Sequence, residues 1–145
     1  MKLKLLSASL LVIPINTSAN ELNDASSSVS MNVGLYASIS GLDDFSLTTS
    51  GTDGSANAIY SGSDTYQLES NGQIRVTLTG SDLSNGSDSI STNYSLDGSG
   101  LTFDTAADSA HNASHSISAT ATLGEISAQK AGSYTGTITI TVSGI

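Results

Sequence analysis

Apolar and small polar residues alternate one for one through much of this sequence, and that period of two constrains the fold more than any other feature. In Val29-Ser30-Met31-Asn32-Val33-Gly34-Leu35-Tyr36-Ala37-Ser38-Ile39 every odd position is apolar. Successive side chains on a strand point to opposite faces, so Val29, Met31, Val33, Leu35, Ala37 and Ile39 make one dry face. The pattern returns at Phe45 and Leu47, at Leu101 and Phe103, at Ile117, Ala119, Ala121 and Leu123, and at Ile138, Ile140 and Val142. Gly/Ser/Asp clusters such as Gly51-Thr52-Asp53-Gly54 and Asp97-Gly98-Ser99-Gly100 punctuate these runs. Short alternating segments between regular turn signals predict an all-β, antiparallel, Ig-like β-sandwich of about 7–9 strands.

The first 19 residues join Lys2 and Lys4, an apolar run from Leu5 to Ile15 and a small-residue exit at Thr17-Ser18-Ala19. This is the layout of a secretory signal peptide, with cleavage expected after Ala19. The run is too short to span a bilayer, so no membrane insertion of the mature chain is expected. A lead of residues 20–28 and one domain over residues 29–145 follow. The expected location is secreted: the periplasm in transit, then the cell surface. Without the leader, Arg75 and Lys130 stand against thirteen acidic residues, a net charge of −11. That balance disfavours nucleic acid and anionic membranes as partners. The chain has no cysteine, so the fold uses no disulfide.

Finer features follow from parity. Ala58 to Tyr60 reads as a short strand before a Ser61-Gly62-Ser63-Asp64 break. Tyr66 and Leu68 share a face with Ile74 and Val76 if Ser70-Asn71-Gly72 is a three-residue hairpin loop with Gly72 left-handed. Ser81 to Asp88 reads as a loop, Ile90 to Leu96 as one strand, and Asp104 to Asn112 as a polar or short helical connection.

Chemistry-bearing patterns are sparse. His111 and His115 are four apart and share a face on a helix or a strand, but a metal site there needs a third ligand, from Asp104 or Asp108. The polar surroundings favour solvated histidines in an exposed loop, and no metal or other cofactor is expected. The many Asp residues in turns cap local amides, and the Asp-x-Asp-x-Asp-Gly calcium loop is absent. There is no Gly-x-Ser-x-Gly elbow and no cysteine nucleophile, so an enzyme is not expected. Thr135, Thr137, Thr139 and Thr141 form an outward ladder, with Ser118, Thr120 and Thr122 placed beside it; threonine there is an ordinary strand former.

The segment Gln129-Lys130-Ala131-Gly132-Ser133-Tyr134-Thr135-Gly136-Thr137-Ile138-Thr139-Ile140-Thr141-Val142 resembles the last strand of bacterial fimbrial subunits and related pilin-like secreted domains, including spore coat U types. Gly132, Tyr134 and Gly136 carry the Gly-x-Tyr-x-Gly entry, and Ile138, Ile140 and Val142 the aliphatic alternation. Leu96 to Gly100 and the layout of Val29 to Leu47 are similar to class 5 fimbrial major subunits. The resemblance implies a pilin-like sandwich lacking one strand, held by a periplasmic chaperone, delivered to an usher and completed by the N-terminal strand of another copy. The expected function is therefore a structural subunit of a surface filament, with residues 29–39 as donor strand and the same chain as partner. The alternative is a monomeric secreted sandwich acting as an adhesin, biofilm-matrix or ligand-binding protein.

Overall fold

A computed structural model describes residues 25–145; the leader expectation lies outside them. The compact unit runs from Val33 to Ile145. Residues 25–32 lie outside that unit, exposed and without regular secondary structure.

Among the described residues, nine antiparallel strands build an Ig-like sandwich. One sheet has the order β1 (Ala37–Ser40), β2 (Ile59–Ser70), β8 (His111–Thr122), β6 (Thr92–Leu96). The facing sheet is β7 (Thr102–Asp104), β3 (Ile74–Gly80), β9 (Ile138–Gly144). A small hairpin, β4 (Leu83–Asn85) and β5 (Asp88–Ile90), closes on Gly86 in the left-handed region at φ 66°. It occupies the stretch expected to be a loop.

Alternation puts Tyr66 and Leu68 from β2, Ile74, Val76 and Leu78 from β3, Leu96 from β6 and Ile117 from β8 into one buried cluster. Ala37, Ile39, Phe45, Tyr94, Phe103, Ile138, Ile140 and Val142 pack against it, half-buried. Each fully buried Leu, Ile or Val contributes about 1.5–3 kcal/mol, which lets a sandwich without disulfides hold together.

Four further sequence expectations are corrected. The Ser61–Asp64 break does not exist: β2 runs unbroken for 12 residues, paired with β8 from Ile59↔Thr122 to Ser70↔His111. A long partner strand supplies backbone hydrogen bonds that override the weak propensity of Gly and Ser. The Ser70–Gly72 hairpin is instead an arch, because β2 and β3 belong to opposite sheets. Their apolar residues meet across the core rather than side by side, and parity cannot distinguish the two. Gly72 is not left-handed. The arch is pinned by Asn71, whose Nδ2 donates to the Gly34 carbonyl (2.8 Å) and whose Oδ1 accepts from Tyr36 N–H (2.7 Å).

Third, Ile90 to Leu96 is two strands, broken at Ser91. Thr92 Oγ1 accepts from Leu83 N–H (3.3 Å) and Asp82 Oδ1 accepts from Thr92 N–H (2.9 Å), so side chains hold the break. Fourth, Ser118, Thr120 and Thr122 lie on β8, in the sheet opposite β9, and not beside its threonines.

Candidate functional site

The N-terminal segment divides in two. Ala37 to Ser40 pairs with Ser70 to Gln67 of β2, with Ala37 and Ile39 turned to the core. The predicted strand thus begins only at Ala37. Upstream, Val29 is 96%, Met31 87%, Val33 67% and Leu35 54% exposed. Val29, Met31 and Val33, on one parity in water, are a feature that burial within a single chain does not account for. Leu35 lies against Gly72 and Gly144, where an added Cβ comes within 2.9 and 2.7 Å of its methyls.

The last strand shows the complementary feature. β9 pairs with β3 from Ile138↔Gly80 to Val142↔Val76 and Gly144↔Ile74. It is the terminal strand of its sheet, so its second edge carries no ladder among the described residues. Ile138, Ile140 and Val142 are only half-buried. Next to this edge, between residues 42–47 and residues 133–138, lies a groove of about 640 Å³ whose apolar lining includes Leu42, Phe45, Leu47 and Ile138. Such an edge, unblunted by proline or lysine, is a template for another strand.

The Gly132-x-Tyr134-x-Gly136 entry has a mechanical explanation. Gly132 sits at φ 149° against Asn85, and an added Cβ at Gly136 lies 3.1 Å from the Ser81 carbonyl. Tyr134 Oη donates to the Lys130 carbonyl (3.0 Å). Thr135 then bridges Ser84, and Thr137 exchanges hydrogen bonds with Ser81. The motif threads the chain past the β4 end and delivers it to β3 in register.

The histidines are not in an exposed loop. Both lie on β8, and the side chain of His115 is only 12% exposed. Its ring stacks on Phe103 (centroids 4.6 Å) and near Tyr66 (5.6 Å). His115 Nδ1 is 2.7 Å from Asp97 Oδ2, and His115 Nε2 is 2.8 Å from His111 Nε2. Neither Asp104, which pairs with Arg75 at 2.7 and 2.8 Å, nor Asp108 joins them. The partner is Asp97, which the sequence reading placed only in a turn.

Asp97 and Gly98 both have positive φ, 48° and 74°, and Ser99 N–H donates to the Leu96 carbonyl (2.8 Å), a type I′ geometry that Asp-Gly favours. The turn brings Asp97 beside β8, where its Oδ1 accepts from Ser116 N–H (2.8 Å). Burial raises the Asp97 pKa, but hydrogen bonds from His115 and Ser116 outweigh it and hold the carboxyl below the usual range.

No protein-family model matches the chain, and no curated protein matches it.

Proposed function

We propose that the protein is a structural subunit of an extracellular filament, assembled when the N-terminal segment of one copy adds as a strand to the open β9 edge of the next. The observation that carries this reading is the pairing of two loose ends: exposed Val29, Met31 and Val33 on one parity, and an unpaired edge strand beside a groove into which Leu42, Phe45, Leu47 and Ile138 open. Strand addition satisfies both, since the backbone ladder gives affinity and alternate pockets select register. Leu35, Ala37 and Ile39 act in cis, with Asn71 holding Gly34 and Tyr36, and residues 29–33 act in trans.

Burying Val29, Met31 and Val33 yields on the order of 5–9 kcal/mol gross. Association costs about 4–15 kcal/mol, so side chains alone do not secure the polymer and the main-chain ladder decides it. An edge of this kind is an aggregation hazard before assembly, which is the task of a periplasmic chaperone and an usher. Export through the leader, the cell-surface destination and a non-enzymatic role belong to the same reading.

Electron microscopy and gel filtration of protein from its native host test it. Filaments or a ladder of oligomers are expected. A strictly monomeric product returns the protein to the alternative, a secreted sandwich whose groove binds a ligand.

A further inference from the structure

The loops at the end of the sandwich where β2 begins and β8 ends enclose a pocket of about 580 Å³, inside the range of about 300–1,000 Å³ usual for ligand sites. Its apolar lining includes the buried Ile90 and Ala121 and the half-buried Leu47 and Leu123. It borders the groove beside β9 through Leu47 and Tyr134, stands at the opposite end of β2 from Asn71, and does not depend on strand exchange for its use.

Hydrogen bonds hold the rim in place before any ligand arrives. Leu123 N–H donates to the Ala58 carbonyl (2.9 Å) and Asn57 N–H to the Gly124 carbonyl (3.3 Å), which ties the two loops together. Tyr60 Oη donates to Asp53 and accepts from Gly54 N–H (2.9 Å), and Tyr134 Oη is held by the Lys130 carbonyl (3.0 Å). With both hydroxyls tethered, the two rings are fixed walls that need little further ordering on binding. Gly124 N–H donates to Gln129 Oε1 (2.8 Å), which orients that amide and leaves its Nε2 donors for a ligand. Asp53 and the Tyr134 hydroxyl keep acceptor lone pairs. The cation of the rim is already matched, since Lys130 Nζ stands 3.6 Å from Asp88 Oδ1 and 3.2 Å from Ser87 Oγ. An anionic ligand would meet Asp53 and the acidic surface of the whole chain.

We infer that this end pocket binds a short neutral saccharide. A sugar ring has apolar C–H faces for the tyrosine and aliphatic walls, and hydroxyl groups round its edge that both donate and accept, as Asp53, Gln129 and Tyr134 require.

The test is calorimetric titration of the full mature protein with maltose, cellobiose, lactose and N,N′-diacetylchitobiose, with glucuronate and glucosamine as charged controls, alongside NMR of the tyrosine rings. Saturable one-to-one binding of at least one neutral disaccharide is expected, with shifts centred on Tyr60, Tyr134 and residues 123–134. Gln129→Leu is expected to weaken it about tenfold. Because Gln129 also holds Gly124, Ile126→Asp at the pocket mouth is the second variant; that side chain is 72% exposed, so the unfolding midpoint should stay unchanged while binding falls. No saturable binding of any neutral disaccharide up to about 10 mM, binding of the charged controls alone, or binding that survives both variants in folded protein overturns the inference.

Discussion

Tyr66 shows how a single buried atom sets a pH limit. The residue is 1% exposed and its hydroxyl has no hydrogen-bond partner among the described residues. Desolvation first, and the Asp97 charge second, push its pKa up to about 12. The fold therefore favours the neutral phenol. Its contribution is fully present below the unfolded value near pH 10 and is lost as the pH rises towards 12. Tyr66→Phe should flatten the alkaline limb of a stability–pH profile. It should also raise stability at neutral pH by about 1 kcal/mol, because an unpartnered buried hydroxyl is removed while the ring packing stays. Chemical denaturation of the two proteins at neutral pH and above pH 10 measures both effects.

At the scale of elements, the passage from β1 to the Thr48↔Ser61 bridge depends on Gly62. An added Cβ there collides with the Ser46 carbonyl and comes within 2.9 Å of a Leu47 methyl. Backbone cannot yield as a side-chain tip does, so Gly62→Ala should lift residues 42–48 from β2 and cost about 2 kcal/mol. Faster amide exchange confined to that segment, with a lowered unfolding midpoint, is the expected result. Gly62 also marks where sequence reading fails. Ser61-Gly62-Ser63-Asp64 carries every sign of a turn, and only the 12-residue β8 alongside makes it strand.

Strands with strong alternation, such as β3 and β9, were legible because their own side chains specify the buried face. The Asn71-Gly72 arch was not, since a hairpin and an arch present the same parity and differ only in which sheet receives β3. The Asp97–His115–His111 chain was half legible. The spacing of the histidines put them on one face of a strand, but the turn that carries Asp97 to Ser116 is a long-range contact that no local pattern announces.

For the whole molecule, charge and open surfaces work against each other. In the proposed assembly, copies carrying nine net negative charges, eleven once the expected leader is removed, repel before their strands can meet. Raising salt from low ionic strength to about 0.15 M, where the screening length falls to ~8 Å, should speed assembly without shifting the monomer's unfolding midpoint. Light scattering during a salt series follows the first quantity, and thermal denaturation the second.

The exposed parity of the N-terminal segment carries the account, and sedimentation of Val29→Asp/Met31→Asp protein against the unaltered protein tests it most directly. Both side chains lie almost wholly in solvent, so the folded subunit should keep its stability. The altered protein is predicted to sediment only as a monomer while the unaltered protein forms oligomers and filaments. Equal assembly by both proteins would contradict strand exchange through this segment.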